Sequence, residues 1–419
     1  MAYESSSNCS SSVCKEWSFR SNTSISSISN NSSNNNLLSL TSHINNKTEE
    51  IIPSFSVHHP YYNCIATLKT PNHHHITCLA VHNKLLYAAS GDKITTFDLT
   101  SLSPTPSFDG LDVSSGGFIK SITFYDDNKI LTAHQDSKIR VWKRHRLLTT
   151  LPTIKDKLRR FICPKNYVQV RRHKRKLWIE HNDAVSGITV NNGLIYSVSW
   201  DKTLKIWRGS DFKCLESIKA HEDAVNAVTV STNGTVYTGS ADGKIKVWES
   251  VGHNKTNNNN IRSHSMVNTM ETSRSTVVNA LALSKDGKVL LSGGCDGMIM
   301  AWEKEEENDQ MVESGVVGGH DGAVLCLIRL LDDHDLFVSG GADRTVRIWG
   351  RVGSESGSGS RGLFCCMGVL EGHVKAVRSL VVAESEINGV VLVSGSLDGE
   401  IRVWRVMVRE LLNYVDPCI

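Results

Sequence analysis

The sequence predicts an all-β chain. It reads as a seven-bladed propeller over residues 60–410, preceded by a disordered tail at 1–55 and followed by a short tail at 411–419. Three observations carry this reading. Six tryptophans close one short phrase: Ile139-Arg-Val-Trp142, Leu204-Lys-Ile-Trp207, Ile245-Lys-Val-Trp248, Ile299-Met-Ala-Trp302, Val346-Arg-Ile-Trp349 and Ile401-Arg-Val-Trp404. Each stands six residues after an aspartate (Asp136, Asp201, Asp242, Asp296, Asp343, Asp398), and four residues before each aspartate is a hydroxyl (Thr132, Ser197, Thr238, Ser292, Ser339, Ser394). A degraded seventh copy comes first, with Asp92, Ala88 in the hydroxyl position and Asp98 where the Trp is expected.

The phrases alternate apolar and other residues with period two, which specifies strands with one buried face. Two further apolar runs precede each phrase, as in His221-Glu-Asp-Ala-Val-Asn-Ala-Val-Thr-Val, so each repeat supplies several short strands. A ring of such units must be fastened. Cys64-Ile-Ala-Thr-Leu-Lys-Thr70 precedes the first copy and is expected to pair outside 401–406 as the outermost strand of the last blade. Long intervals place insertions at 143–177, 250–273, 304–317 and 350–364, the last holding the flexible Gly353-Ser-Glu-Ser-Gly-Ser-Gly-Ser360. Residues 1–50 contain 16 Ser and 9 Asn, too little apolar surface to offset the entropy of ordering.

Composition excludes several classes. Net charge is +3 with 40% hydrophobic residues, and no apolar run reaches the ~18–20 residues of a membrane helix. The start, MAYESSSNCSSSVCKEW, lacks the apolar core of a secretory signal, so a soluble, non-secreted chain is expected. The 11 cysteines include no Cys-x-x-Cys, which points to free thiols in a reducing compartment and removes zinc-ribbon readings. His58-His59 and His73-His-His75 have no fixed acidic or Cys partner, and no phosphate-binding glycine loop or His-Glu-x-x-His is present. No metal, cofactor or enzymatic activity is expected.

A histidine, His181, His221, His320 or His373, precedes four of the aspartates by 20 to 25 residues, in a loop entering the blade. With the hydroxyl it mimics a catalytic Ser-His-Asp set. Four copies, each ending on a Trp, make the set structural: a buried carboxylate is tolerated only when paired and hydrogen-bonded.

Two regions are candidates for function. Propeller partners dock on the face carrying the turns between second and third strands. The residue before each aspartate projects there, giving Gln135 and Trp200, and Asp183, Asp223 and Lys375 edge the same face. Trp200 is either an interface anchor or is packed beneath the adjacent insert. The second region is that insert, 143–177, with thirteen cationic residues against Asp156 alone, or +12. Its cations include Arg159, Arg160, Arg171, Arg172, Lys174, Arg175 and Lys176. An anion-binding surface for phosphoinositide, nucleic acid or an acidic partner is one reading, and a nuclear import signal at 171–176 is another. A solvated loop forming an outer strand through 167–170 and 177–179 is the third. Interleaved Leu158, Phe161, Ile162 and Tyr167 favour ordered packing.

The repeat frame resembles WD40 repeat proteins. The segments 147–156 (LLTTLPTIKD), 164–181 (PKNYVQVRRHKRKLWIEH) and 197–208 (SVSWDKTLKIWR) are similar to plant WD40 proteins of the Jingubang type. That resemblance implies a non-enzymatic scaffold in cytoplasm and nucleus, and the propeller is expected to be monomeric. It would restrain pollen germination and pollen-tube growth through protein partners such as transcriptional or signalling regulators. The alternative is a peripheral factor that contacts phosphoinositide membrane or nucleic acid through 143–177. Departures are the lost Trp and hydroxyl of blade one and the missing loop histidine in blades two and five.

Overall fold

Each Trp-terminated phrase forms the third strand of a four-stranded antiparallel sheet in the computed structural model. The structure describes residues 61–70, 74–105, 117–171, 174–251, 263–305, 309–331, 335–352, 363–383 and 389–408, all in one unit, His59–Ile419. The expected tails at 1–55 and 411–419 lie outside the described residues, as does Arg172. Blades one to six occupy 76–104, 119–151, 185–219, 225–271, 278–319 and 324–370. The seventh combines Val377–Ala383, Val390–Ser396 and Glu400–Val406 with Tyr62–Lys69. Tyr62 pairs with Val406 and Lys69 with Glu400, so the chain's first described strand closes the ring on its last.

Seven apolar clusters of the described residues lie one at each junction between neighbouring blades. Every Trp of the frame packs against the preceding blade, as Trp349 does against Leu291 and Ile299 of blade five. The residue after the hydroxyl faces the next blade, which explains glycine there: a Cβ on Gly293 or Gly395 would stand 2.5 Å from Val324 or Ile76. Side chains of the innermost strands stitch the ring: Asn226 Nδ2 donates to Val278 O (3.0 Å), Asn279 Nδ2 to Val324 O (3.1 Å), and Ser379 Oγ accepts from Leu79 N (2.8 Å).

The degraded blade one departs from expectation. Phe97, not Asp98, occupies the Trp position, because the turn at Gly91-Asp92 is one residue shorter and Phe97 pairs with Leu86 as Trp142 pairs with Ile130. Phe97 is buried beside Ile401, and Ala88 replaces the hydroxyl. An indole donor and its acceptor are lost together, which leaves no unsatisfied polar group.

The insertions hold more strand than expected. Ser263–Glu271, Met311–Gly319 and Leu363–Leu370 are the outermost strands of blades four, five and six. In the basic insert the outermost strand of blade two is Arg146–Leu151. The 167–170 segment belongs instead to a separate hairpin, Tyr167–Arg171 with Lys174–Leu177. Between them lie a 3-10 turn, Pro164–Asn166, and the helix α1 (Ile154–Phe161), N-capped by the Thr153 hydroxyl, which accepts from Asp156 N (3.2 Å).

Candidate functional site: a buried blade network beneath one interaction face

The repeated polar residues form a single donor chain. In blade four Trp248 Nε1–H donates to Thr238 Oγ1 (2.9 Å), whose hydroxyl donates to His221 Nε2 (2.8 Å), and His221 Nδ1–H donates to Asp242 (3.0 Å). The geometry fixes the Nδ1–H tautomer. Blades three, six and seven repeat it: Trp207, Ser197, His181, Asp201; Trp349, Ser339, His320, Asp343; Trp404, Ser394, His373, Asp398. The aspartates also accept backbone N–H groups of Asn182, Glu222, Asp321 and Val374, tying the incoming loop to the turn.

Burial opposes charge on the carboxylates, yet the imidazoles and amides outweigh it. Asp242 is held at about 2, and Asp201, Asp343 and Asp398 also lie below the usual carboxylate range. Burial also holds His181, His320 and His373 below the usual imidazole range. Neutral imidazole beside ionised carboxylate, spent on an indole, leaves no nucleophile facing solvent from these sets.

The two Trp-bearing blades without a loop histidine solve the problem differently. In blade two His134, on the second strand itself, approaches the Thr132 hydroxyl (2.8 Å) that accepts from Trp142 Nε1 (2.8 Å), while Arg140 grips Asp136 through both nitrogens (2.7 and 3.3 Å). In blade five Trp302 still donates to Ser292 (2.9 Å), and Asp296 takes its partner from Arg274 Nε (2.9 Å).

Burial, then the Arg140 charge, pushes His134 down to about 4. The unfolded imidazole titrates near 6.5, so this contribution is whole above about pH 6.5 and is lost as pH falls to 4. His134→Leu is expected to flatten the acid limb of a stability–pH curve by about one proton, ~1.4 kcal/mol per pH unit in that window. An unchanged slope in urea melts across pH 4–6.5 would show that His134 does not carry it.

The turns and incoming loops gather on one face. Gln135 N donates to Phe118 O (2.9 Å), Trp200 N to Ala184 O (3.0 Å) and Leu397 N to Ala376 O (3.0 Å). Asp183 and Lys375 are exposed there, Gln135 and Asp223 half-buried. Trp200 lies on this face and is not fully exposed. It is half-buried, with the Lys120 ammonium 5.1 Å from its ring centroid. Burial, then the charge of Arg378, pulls Lys120 down to about 8. Exposed Phe118 and Val374 add apolar surface on the incoming loops that period-two patterning did not single out.

In the insert Arg159 and Arg175 are exposed, Lys176 donates to His181 O (3.2 Å), and Arg160 packs on Trp178, 4.3 Å from the ring centroid. Arg171 and Lys174 lie in the hairpin strands. Among the described residues no group of three His, Cys, Asp or Glu side chains is placed to share a metal, and no helix is long and apolar enough to cross a membrane.

The family model "WD domain, G-beta repeat" matches residues 103–143, 173–208, 212–249, 264–303, 312–350 and 364–405, more than half of the chain. The chain belongs to the WD40 family. Each matched WD40 repeat ends one residue past its Trp. The chain is similar to a guanine nucleotide-binding protein subunit beta-like protein of Encephalitozoon cuniculi, 26% identical over 49% of this chain and 56% of that protein. It is also similar to cell division cycle 20.1, cofactor of APC complex, of Arabidopsis thaliana, 24% identical over 53% of this chain and 45% of that protein. It thus spans about half the length of these curated relatives. Among solved structures, the WD40 β-propeller domain of Doa1 superposes with TM-score 0.59 at 22% identity, covering 82% of this chain and 96% of that one, which shows the fold.

Proposed function

We propose that this WD40 chain is a non-enzymatic scaffold whose turn face binds other proteins. The observation that carries the reading is the donor chain: the residues that mimic a catalytic set are spent, blade after blade, on holding Trp and turn together. What they hold rigid is a face of mixed charge and exposed apolar side chains. Rigid loops on a stable ring present such groups at little ordering cost on binding. Resemblance to the Jingubang type extends the proposal to restraint of pollen germination and pollen-tube growth, in cytoplasm and nucleus, through transcriptional or signalling regulators.

Reversing charge at Asp183→Lys, Asp223→Lys and Lys375→Glu together tests the face. Affinity capture from plant tissue is expected to lose a defined set of partners about 10-fold or more, and the same loss from Asp183→Lys with Lys375→Glu alone, both exposed and so expected to stay within about ±0.5 kcal/mol each, separates lost binding from lost stability. Retention of every partner would place docking elsewhere. Pollen lacking the protein is expected to germinate earlier, and wild-type timing would remove the pollen assignment.

A further inference from the structure

Helix α1 is turned inside out. Its polar side faces the propeller: Asp156 is buried, accepts from Arg160 Nε (3.1 Å) and accepts from Cys214 N (3.3 Å) at the start of the outermost strand of blade three. Arg160 adds its stacking on Trp178, and Lys157 pairs with Glu180 (2.7 Å). Asn166 Nδ2 donates to Arg160 O (2.9 Å) and the Tyr167 hydroxyl to Phe161 O (3.1 Å), so the helix end is held as well. The apolar side faces solvent. Ile154 (78% exposed), Leu158 (65%), Phe161 (66%) and Ile162 (86%) recur at i, i+4, i+7 and i+8, one continuous stripe.

A fixed helix that turns its charged pair inward and exposes its apolar stripe is built for an apolar surface outside the molecule. The exposed cations Lys155, Arg159, Lys165 and Arg175 accompany it, and the insert's single acid, Asp156, is already paired. We infer that α1 and its basic surroundings dock on an anionic lipid bilayer, the stripe entering the headgroup–acyl boundary and the cations meeting lipid charge.

Charge and shape select this occupant. The chain's own residues 1–58 carry Lys15, Arg20 and Lys47 against Glu4, Glu16, Glu49 and Glu50, close to neutral, and do not match a +12 segment. A second copy meeting it through the same face presents the same positive charge and repels. Nucleic acid satisfies the cations but offers aliphatic Ile154, Leu158 and Ile162 nothing to stack on. A bilayer accepts a convex apolar ridge without a matching groove. The inference is independent of the turn face, so either one can fail alone.

The test is co-sedimentation of the full chain with vesicles of phosphatidylserine and phosphatidylcholine, against phosphatidylcholine alone. Binding is expected to the anionic vesicles only, weakening with salt. The quadruple variant Ile154→Ser, Leu158→Ser, Phe161→Ser, Ile162→Ser keeps every charge and is expected to lose about 10-fold or more. Its melting temperature should match wild type, because these side chains leave the core untouched. Equal binding by the variant would mean adsorption by charge alone, and absence of binding at low salt would remove lipid altogether. Should vesicles fail while the same four residues are needed to hold a protein partner, the stripe fits a protein groove and the lipid assignment falls.

Discussion

A chain truncated before residue 71 is expected to lose on the order of 5 kcal/mol, a large part of the 5–15 kcal/mol that holds a domain. Truncation before residue 51 is expected to cost nothing measurable, because the Ser/Asn-rich sequence of 1–50 brings little apolar surface to bury. The contrast follows from what Tyr62–Lys69 does. Its register with Glu400–Val406 gives the seventh blade its fourth strand. Leu68 joins the cluster of Phe97, Ile401 and Val403, so the strand seals the junction between the last blade and the first. Burying a Leu contributes about 1.5–3 kcal/mol, and each ladder hydrogen bond about 0.5–1.5 kcal/mol net, against the entropy of ordering eight residues. The Tyr62 hydroxyl adds a bond to Val369 O (3.0 Å) in blade six. The Lys69–Glu400 pair, with Lys69 half exposed, adds little. Without the strand, Glu400–Val406 becomes an open edge and aggregation through it is expected. Urea midpoints measure the contrast. Equal midpoints for the two truncations would mean that three strands suffice for the last blade.

The closing strand was legible because a propeller demands one and because Cys64–Thr70 alternates in the right place. The Asp–Trp frame was legible for the same kind of reason: a buried carboxylate and a buried indole need partners, and only fixed spacing supplies them in every copy. Two details were hidden by register. Phe97 replaces the Trp of blade one only because its turn is one residue shorter, which shifts every later residue toward Asp92. His134 sits two residues after Thr132, hence on the same side of the strand, a relation readable from alternation once the search leaves the loop. Helix α1 was half legible. Its stripe at 154, 158, 161 and 162 can be counted in the sequence, and the expectation of ordered packing holds for the helix but not for Leu158, Phe161 and Ile162, which face solvent. Which side turns inward was decided by Asp156 reaching Cys214, a contact between residues 58 apart.

The same frame gives unequal costs when its aspartate is removed, and the inequality is the sharper test. Asp242→Ala is expected to destabilise by about 2–4 kcal/mol: it strands the buried His221 Nδ1–H and frees the amides of Glu222 and Lys244 from their acceptor. His221 is fully buried, so water does not replace the lost partner. Asp296→Ala in blade five frees the Met298 amide but strands no buried imidazole, and its other partner, Arg274, has a side chain that is 47% exposed and readily solvated, so about 1–1.5 kcal/mol is expected. The depressed carboxyl of Asp242 sets the sign of the pH dependence. Its contribution is whole above about pH 4, the unfolded value, and is lost as pH falls toward its folded value near 2. The gap between the two variants should therefore be full at pH 7 and close as pH falls below about 4. Chemical denaturation of both variants at those pH values decides the matter. Equal losses at pH 7 would mean that the histidine is packed rather than hydrogen-bonded, and that the chain from Trp248 through Thr238 and His221 to Asp242 does not act as one unit.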